Sequence, residues 1–380
     1  MDEVNQTEIL YAAAHADFPD TEPLGGGKAV ADFLRREHRD WTVLSPRSLR
    51  LPLEKSLADL SEFQYARFCR QFERAATDAI LQRDPRRCVV LVNDISEGPD
   101  FQRLGERGYR VATIFHVDVV EYFTKFYLHG FVKPEWLTRL RWHSRYVPDL
   151  FRLVFTKQED CVRHSRKLIL PSEPMRDVVL RCYPWCPKEK IAVIPWGNLA
   201  AAFPPEPLMV DEDEFVIVTL SRLSPEKGIE RLLFAVRHLD TTRRKYRVYI
   251  CGAAAYMKGR AYERKLRRLA SQTPVPVTFV GHVSGGRKAG FLQRADLFVS
   301  PSRHESYGLT IAEAMAHGCR VISHGHYGAR GVVVDCGDTR GLAGEIEAVA
   351  LQGRMPRECH TVLSDAGTRV ADVLLAMAKS

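Results

Sequence analysis

The sequence predicts an α/β protein with two domains, each built from a parallel sheet and flanking helices. Strand-like and helix-like segments alternate along the chain, which is the pattern that parallel α/β layers produce. The chain has 380 residues, too many for one ordinary core and suited to two domains of about 150–200 residues each. A proline-rich and acidic segment, Pro204–Asp213, shows no periodicity and is the best linker candidate. We therefore expect an N-terminal domain at 1–200, a C-terminal domain at 201–365 and a closing helix at 366–380.

Each predicted strand is a short apolar run between polar or glycine-containing segments. In the first domain these runs are Glu8–Ala14, Trp41–Leu44, Cys88–Asn93, Val111–Phe115, Leu153–Thr156, Lys167–Leu170 and Ile191–Ile194. In the second domain they are Phe215–Leu220, Tyr246–Cys251, Val277–Val280, Asp296–Ser300, Val321–Ser323 and Val332–Val334. Helices are predicted at Lys28–Glu37, 57–83, Gly228–His238, 258–271, 339–351 and 366–380. Two such halves predict a cleft in which a ligand binds at the carboxyl ends of the strands.

The composition is that of a globular protein with a mild positive charge. Hydrophobic residues make up 45% and charged residues 27% of the chain, which argues against a disordered or fibrous protein. The 55 Lys and Arg residues exceed the 47 Asp and Glu residues, giving a net charge of +8. Residues 241–270 hold much of this excess, which fits either a solvated helix face or an anion site. Neither interpretation needs nucleic acid, and we expect no nucleic-acid partner.

The sequence contains no visible segment for export, membrane spanning or zinc binding. Its start is acidic and lacks the basic stretch and apolar run of a signal peptide. No window reaches the about 18 apolar residues of a membrane-spanning helix. Of the nine cysteines, only Cys182 and Cys186 are close together, without a second pair or a histidine at ligand spacing. We expect reduced cysteines, no metal and a cytoplasmic location, with peripheral contact to the inner membrane face as an alternative.

The sharpest motif is SRHESYGLTIAEA at residues 302–314, between a predicted strand and a predicted helix. Glu305 lies in the loop, and Glu313 lies about one turn inside the helix. Gly308 lies at the helix start, where free backbone N–H groups and the positive end of the helix dipole favour a phosphate. A carboxylate on each side of such an anion site suits the hydroxyls of a sugar and of a ribose. Taken alone, the same residues also suit an ordinary helix cap.

A second motif, SRLSPEKG at residues 221–228, follows a predicted strand and opens a helix. Arg222 and Lys227 both lie at the carboxyl end of that strand. Two cations near a helix N-terminus suit a diphosphate, since arginine binds as a fork and lysine as a point charge. Taken alone, this spacing is more typical of surface charge.

Together these motifs resemble the retaining glycosyltransferases of the GT-B fold, glycosyltransferase family 4 in particular. The resemblance runs through most of residues 215–350, from SRLSPEKG through VTFVGHV, RADLFVSPSRHESYGLTIAEAMAHG and RVIS to VVVDCGDTRGLA. The pair Glu305-x7-Glu313 is its most specific mark. The implied fold has two Rossmann-like domains facing a central cleft, with a C-terminal helix that packs back on the first domain.

The first half is similar to the family more loosely. Gly25–Gly27 resemble the glycine loop after the first strand, which marks Gly26 and Gly27 as donor-binding residues. His116 resembles the histidine that the family places near the transferred sugar. Ser172, together with KIAVIPWGN ending at Asn198, resembles the run that closes the first domain.

The resemblance also implies roles for residues of the second half. Arg222 and Lys227 would grip the diphosphate and stabilise its charge as it leaves, in place of a metal. Glu305 would face the donor sugar, and Glu313 would bind the ribose hydroxyls. The remaining donor contacts would involve the loop that carries the phosphates and the backbone near the base: Ser306, Tyr307, Gly308, Leu309, His282 and Val283.

The implied reaction moves a hexose-type sugar from a nucleotide diphosphate sugar to a hydroxyl acceptor with retention at the anomeric carbon. No side chain stands out as a nucleophile, so a front-face route fits, in which the leaving phosphate takes the proton of the acceptor. UDP is expected as the commonest nucleotide, and no cofactor besides this co-substrate. The acceptor is a carbohydrate, a small molecule or a lipid-linked hydroxyl.

Three sequence features leave alternatives open. ISHGHYGARG, between Val321 and Val332, is shorter than the family's glycine-rich stretch near the donor. Residues 133–152 combine aromatic residues and arginines, which suits core packing, an acceptor pocket or an anionic membrane surface. Four histidines that are close in sequence suit a metal site or, as is commoner, ordinary hydrogen bonding: His304, His317, His324 and His326.

Other functions compete with a glycosyltransferase on the same architecture. A nucleotide-sugar epimerase would release free sugar or an epimer without an acceptor. A non-catalytic nucleotide-sugar binding protein would keep Arg222 and Lys227 but has no need of Glu305, which is present. An NAD dehydrogenase fits less well, because Gly25–Gly27 do not form G-x-G-x-x-G.

Overall fold

The computed structural model describes residues 7–19, 25–52, 57, 60–126, 128, 131–139, 155–199, 203–255, 259–353 and 364–379. The chain folds into two compact units. The first unit comprises Met1–Phe18, Gly26–Trp196 and Asp365–Ser380, and the second comprises Pro19–Gly25 and Gly197–Ser364.

The described part of the first unit contains a parallel sheet of six strands in the order β2-β1-β3-β4-β5-β6. The strands are β1 (Glu8–Ala12), β2 (Thr42–Leu44), β3 (Cys88–Val92), β4 (Arg110–Ile114), β5 (Lys167–Leu170) and β6 (Ile191–Val193). Its helices are α1 (Gly26–Glu37), α2 (Glu62–Leu81), α3 (Phe101–Glu106), α4 (Val119–Phe126), α5 (Pro134–Leu137), α6 (Lys157–His164) and α7 (Glu173–Cys182).

The described part of the second unit contains another parallel sheet of six strands, in the order β12-β11-β10-β7-β8-β9. The strands are β7 (Phe215–Leu220), β8 (Tyr246–Cys251), β9 (Val277–Gly281), β10 (Leu297–Ser300), β11 (Arg320–His324) and β12 (Val332–Val334). The helices are α8 (Ile229–Ala235), α9 (Gly259–Ala270), α10 (Gly285–Arg294), α11 (Leu309–Ala316) and α12 (Thr339–Leu351). The predicted α/β class with parallel sheets is confirmed in both units.

The central strands are continuous apolar runs because helices cover both faces of each sheet. All five residues of β3 are buried, and so are the first five of β7. Side chains of β7 alternate between two apolar clusters, Phe215 and Ile217 in one and Val216 and Val218 in the other. Burial on both faces fixes the register of these strands, and the register fixes where their carboxyl ends lie.

One predicted strand is wrong, and one predicted helix begins later than expected. Phe155 and Thr156, predicted as the end of a strand, form a helical turn that leads into α6. The apolar side chain of Phe155 is buried against Val120 and Leu137, so a helical turn satisfies the burial that the run indicated. The predicted helix 57–83 starts later, at Glu62, because Ser61 caps it through the backbone N–H of Gln64.

The linker candidate Pro204–Asp213 has no regular structure, as expected, but it packs on the second unit. The Glu206 N–H donates to the carbonyl oxygen of Gly286 at 2.9 Å. Leu208 and Val210 pack against one of the apolar clusters of that unit. The segment therefore lies on the surface of the second unit, and Leu208 and Val210 hold it against the apolar cluster.

The C-terminal helix α13 (Ala366–Lys379) packs on the first unit, as expected. Arg369 of this helix donates to the carbonyl oxygen of Val193, at 2.9 Å. Arg110 of β4 donates through Nη1 to the carbonyl oxygens of Met377 and Ala378, at 3.1 and 2.6 Å. The bonds from Arg110 satisfy two of the four carbonyl groups that a helix end leaves unpaired.

The structure also bears on membrane contact and on the cysteines. Among the described residues, no helix combines the length and the apolar character needed to cross a membrane. The eight described cysteines are buried, and none of them forms a disulfide. Within the segment 133–152, Trp136 is 65% exposed and so is not a core residue. Trp142, Tyr146 and Phe151 lie outside the described residues.

The basic stretch at 241–270 ends in α9, where apolar and basic side chains alternate with helical period. Leu266 is fully buried in the core of the second unit, whereas Arg264 is exposed. We expect Leu266→Ala to lower the free energy of unfolding of this unit by about 2–5 kcal/mol, because it leaves a cavity. Arg264→Ala, the matched control, should change it by less than about 0.5 kcal/mol. Chemical denaturation measures both, and an equal effect of the two variants would contradict this assignment of the helix faces.

Candidate functional site

The two motifs of the second unit leave the sheet from neighbouring strands. β7 and β10 pair in parallel, with Leu297 opposite Ile217 and Phe298 opposite Val218. Their carboxyl ends therefore share one edge of the sheet. The loop 221–228 follows β7, and the loop 301–308 follows β10. The structure thus brings together, within one unit, the two motifs that the sequence singled out separately.

The two loops approach each other so closely that one position must be glycine. Gly228 has a φ of +60°, in the left-handed region, and a Cβ there would lie 2.5 Å from the carbonyl oxygen of Pro301. Beside this contact, the Arg303 N–H donates to the carbonyl oxygen of Glu226 at 2.8 Å. The glycine that ends SRLSPEKG is therefore a packing requirement between the two loops.

Lys227 and Glu305 form an ion pair across this contact. Lys227 Nζ donates to Glu305 Oε1 at 2.6 Å, and the two side chains are only 13% and 18% exposed. Burial raises the pKa of Glu305, but the charge and hydrogen bond of Lys227 outweigh it and hold that pKa below its ordinary value. Glu305 is therefore a carboxylate at neutral pH, with a cation fixed beside it.

Arg222 lies in the same loop and faces another carboxylate. Its Nη2 lies 3.7 Å from Glu226 Oε1, which also accepts a hydrogen bond from Ser224 Oγ at 2.5 Å. Sequence reasoning did not select Glu226. Since Glu226 lies between Arg222 and Lys227 in the motif, its spacing four residues after Arg222 was the available signal.

Gly308 opens α11, as predicted. Its φ of +73° is left-handed, and α11 begins at the next residue, Leu309. The first backbone N–H groups of a helix have no partner inside it, so the backbone from Tyr307 to Leu309 is suited to an anion. Ser306 lies half-buried in the loop just before these residues.

Glu313 forms a second ion pair, which the sequence did not predict. It is buried in α11, and its Oε1 accepts from Lys288 Nζ of α10 at 3.0 Å. The backbone at His282 and Val283 connects β9 to α10. Val283 is buried in the apolar cluster on which α11 packs. Lys288 thus contacts one of the predicted site residues, Glu313. No motif marked it in advance.

The loop that carries Tyr307 is held by Arg330 of the β11–β12 connection. The Arg330 guanidinium lies 4.2 Å from the centre of the Tyr307 ring, and its Nη1 donates to the carbonyl oxygen of Tyr307 at 3.0 Å. Tyr307 Oη in turn accepts from the Gly197 N–H at 2.7 Å. The segment that departs from the family pattern is therefore packed directly on the candidate site.

The remaining predicted residues, His116, Gly26 and Gly27, lie in the first unit, beside a buried cluster. His116 follows β4, Asp94 follows β3 and His15 follows β1, and these three strands are neighbours. His15 Nδ1 lies 3.0 Å and His116 Nε2 3.7 Å from the two oxygens of Asp94. One carboxylate thus lies between two imidazoles at the carboxyl edge of the sheet.

The two histidines of this cluster differ in charge. For His15, burial lowers the pKa, but the charges and hydrogen bonds of Asp94 and Glu97 outweigh it and raise the pKa well above its ordinary value. For His116, burial dominates over the attraction of Asp94, and the pKa is lowered. Burial raises the pKa of Asp94, but the two histidines outweigh it and hold it well below its usual range. His15 is the imidazolium partner of Asp94, and His116 is neutral.

Gly26 and Gly27 form the start of α1. A Cβ on Gly27 would lie 2.8 Å from Asp94 Oδ1 and 3.2 Å from His15 Nδ1. Asn93 Nδ2 donates to the Gly27 carbonyl oxygen at 3.1 Å and to Asp94 Oδ2 at 2.5 Å. Gly27 is therefore required by the close approach of this cluster.

Sequence reasoning missed His15 and Asp94. The signal was present, because each is the residue directly after a predicted strand, as His116 is. In parallel sheets such positions converge at one edge, but the strand order that makes β1, β3 and β4 neighbours is not written in the local sequence.

The histidines considered for a metal do not converge. Among the described residues, no three His, Cys, Asp or Glu side chains are placed to hold a metal ion. His317 Nδ1 lies 2.9 Å from the carbonyl oxygen of Glu313, and His324 Nδ1 accepts from the Cys336 N–H at 3.2 Å. His317 and His324 thus each contact a backbone group of the second unit.

Most of the second unit matches a known protein family. Residues 205–350 match the family model described as "Glycosyl transferases group 1". This part of the chain is similar to that family. The resemblance to glycosyltransferases is thereby confirmed for the half of the chain that holds Arg222, Lys227 and the two glutamates.

Curated relatives match parts of the chain. The alpha-monoglucosyldiacylglycerol synthase of Streptococcus pneumoniae is 30% identical over 171 residues, 42% of this chain and 37% of that protein. The D-inositol 3-phosphate glycosyltransferase of Kineococcus radiotolerans is 25% identical over 292 residues, 67% of this chain and 66% of that protein. The chain spans less than half the length of the first curated relatives that it matches, including 37% of the pneumococcal protein.

Solved structures match nearly the whole chain in fold. Anabaena HepE, crystallised in complex with UDP-glucose, has a TM-score of 0.62 at 15% identity and 98% coverage of both chains. WaaG, a glycosyltransferase involved in lipopolysaccharide biosynthesis, has a TM-score of 0.61 at 13% identity, covering 96% of this chain and 99% of that one. At such identities these likenesses show the fold, which is GT-B as expected.

The charge assignment in the first unit predicts a measurable titration. A raised pKa means that the His15–Asp94 pair stabilises the fold below the ordinary histidine pKa and that this contribution is lost as the pH rises through the raised value. Asp94→Asn removes the largest raising cause while burial and Glu97 remain, so we expect the pKa of His15 to fall. Histidine NMR titration measures this, with the exposed His238 as an internal reference. An unchanged His15 titration would show that Asp94 does not hold the proton there.

Proposed function

We propose that this chain is a retaining, metal-independent glycosyltransferase. It transfers a hexose-type sugar from a nucleotide diphosphate sugar, UDP-sugar in the first instance, to a hydroxyl acceptor. The observation that carries the proposal is the Lys227–Glu305 pair, 2.6 Å apart at the edge where β7 and β10 end, within the family-matched segment. It places a cation for a phosphate beside a carboxylate for a sugar hydroxyl.

The leaving group is the nucleoside diphosphate. As the bond between the anomeric carbon and the phosphate oxygen breaks, both electrons go to that oxygen. Arg222 and Lys227 stabilise the developing charge, together with the backbone N–H groups at the start of α11. Two fixed cations of the chain supply the charge that a metal supplies elsewhere, so the proposed reaction needs none.

The acceptor attacks from the face that the phosphate leaves. Its oxygen bonds to the anomeric carbon, and its proton passes to the phosphate oxygen that has just departed. Because bond formation and bond breaking occur on the same face, the configuration of the anomeric carbon is conserved. Glu305 lies against the donor sugar, where its negative charge also stabilises the oxocarbenium-like transition state. The products are a glycoside and a nucleoside diphosphate.

The other donor contacts follow the same proposal. Glu313, already held by Lys288 at 3.0 Å, binds the ribose hydroxyls, and the backbone at His282 and Val283 meets the base. His116 contacts the transferred sugar as a neutral ring. The segment 1–200 serves the acceptor and the segment 201–365 the donor, with the cytoplasm as the expected location.

The names of two relatives support the proposed class of acceptor. The pneumococcal relative is named for a diacylglycerol product, and another, from Salmonella typhimurium, for lipopolysaccharide. These names favour a lipid-linked or saccharide hydroxyl, reached through peripheral membrane contact. Trp136, exposed near Lys133 and Arg139, suits such contact with an anionic surface.

Removal of either cation tests the mechanism. We expect Lys227→Ala and Arg222→Ala each to lower kcat by about 30- to 1,000-fold, the cost of losing about 2–4 kcal/mol of charge stabilisation in the transition state. The assay measures release of nucleoside diphosphate from UDP-glucose, UDP-N-acetylglucosamine and GDP-mannose, with and without lipid and saccharide acceptors.

The control for these variants is Lys245→Ala, an exposed lysine of the same unit that pairs with Asp213. It should leave the rate unchanged, as should EDTA added to the native protein. A rate that survives Lys227→Ala would refute the assigned role. Release of an epimer, or binding without any release, would favour an epimerase or a binding protein over a transferase.

A further inference from the structure

The connection between β11 and β12 carries a histidine that the roles above do not use. The structure lays this connection on the loop that holds Glu305. The Gly328 N–H donates to the backbone oxygen of Glu305 at 3.2 Å, and a Cβ on Gly308 would lie 2.9 Å from the Gly328 oxygen. His326 lies two residues before Gly328, at the point where the sequence departs from the family's glycine-rich pattern.

The orientation of the His326 ring is fixed by the same backbone group. The Gly328 N–H also donates to His326 Nδ1, at 3.1 Å. A ring nitrogen that accepts a hydrogen bond carries no proton, so the neutral ring has its proton on Nε2. Nε2 is buried and has no hydrogen-bond partner in the part of the chain that the structure describes. A buried donor without an acceptor is costly, and an oxygen of a ligand would satisfy it.

The ring stays neutral at physiological pH. Burial lowers the pKa of His326 to about 4, and the positive fields of Lys227, His304 and His324 add to this against the opposing charge of Glu305. Among the described residues, these four groups have the largest charge effects on the ring. Nε2–H is therefore a neutral hydrogen-bond donor on a ring within electrostatic reach of the Glu305 carboxylate, which can only accept.

We propose that His326 Nε2–H and the Glu305 carboxylate bind the same hydroxyl group of the transferred sugar, which makes His326 a specificity-determining residue. The inference rests on the proposed function, because it concerns the donor of that reaction. A hydroxyl both donates and accepts, so it can donate to Glu305 and accept from His326. A phosphate oxygen has no proton to donate to Glu305, so the pair selects a hydroxyl over the diphosphate.

Two substitutions separate the proposed bond from the structural role of the ring. In His326→Asn the amide oxygen takes the place of Nδ1 and keeps the bond from Gly328, but no donor remains at the position of Nε2. In His326→Gln the amide nitrogen reaches that position and restores the donor. His238→Asn, at an exposed histidine of the same unit, is the matched control.

The measurement is calorimetric titration with the nucleotide sugar that the native protein turns over fastest among UDP-glucose, UDP-N-acetylglucosamine and GDP-mannose, and with its nucleoside diphosphate alone. His326→Asn should weaken binding of the nucleotide sugar by about 10- to 100-fold, as leaving a buried partner unpaired does. Binding of the nucleoside diphosphate should change by less than about twofold, and His326→Gln should recover most of the loss.

Donors that lack one hydroxyl complete the test. One of the 3-, 4- and 6-deoxy donors should bind the native protein at least as weakly as the complete donor binds His326→Asn, because the missing hydroxyl removes the bonds to both His326 and Glu305. Its binding should weaken no further on that variant, since the bond from His326 is already absent.

Equal weakening of nucleotide sugar and nucleoside diphosphate would overturn the inference, as would additive losses with all three deoxy donors. If the native protein turns over a donor and His326→Asn binds it normally, only this inference fails. If the native protein binds none of the three nucleotide sugars, the proposed function fails and the inference fails with it.

Discussion

The close approach of two loops at the carboxyl edge of one sheet is the constraint on which the rest of the site depends. β7 and β10 are neighbours, so the loops that follow them leave side by side. Gly228 has no side chain, and this lets the backbone of Pro301 come within contact distance. Lys227 pairs with Glu305 across this contact, and the pairing offsets part of the cost of keeping two charges so poorly exposed. A side chain in place of Gly228 would therefore also disturb the ion pair between Lys227 and Glu305.

Much of the fold was predictable from sequence because the sheets are buried on both faces. An apolar run such as FVIVTL at Phe215–Leu220 is then the direct trace of a strand, and the observed bounds agree with the prediction. The strand predicted at Leu153–Thr156 is wrong because burial alone does not distinguish a strand from a helical turn. Phe155 is buried, but it lies in a helical turn. The packing of Pro204–Asp213 on the second unit also escaped prediction, since Leu208 and Val210 are too few to form a pattern.

The candidate site divides in the same way. Arg222, Lys227 and Glu305 were predictable because each lies in a continuous motif next to a strand end. Their partners come from elsewhere in the chain. Lys288 reaches Glu313 from another helix, and Asp94 reaches His15 across 79 residues. Which strand ends become neighbours depends on the strand order, and that order is a property of the whole sheet. Sequence reasoning therefore finds residues that lie in continuous motifs more readily than the residues that hold them in place.

The two glutamates of the Glu-x7-Glu motif are each held by a lysine, and this arrangement has a chemical consequence. A carboxylate has two oxygens and about four lone pairs, so one lysine leaves acceptor capacity for a hydroxyl. Glu305 gives Oε1 to Lys227, and Glu313 gives Oε1 to Lys288. Each lysine has three N–H donors, of which the carboxylate takes one, so the same cation can also meet a phosphate oxygen. A sugar hydroxyl and a diphosphate oxygen can thus bind one ion pair at the same time, each at the partner of complementary polarity. The pairing that stabilises the two buried charges is in this way also what prepares them for a ligand that carries both groups.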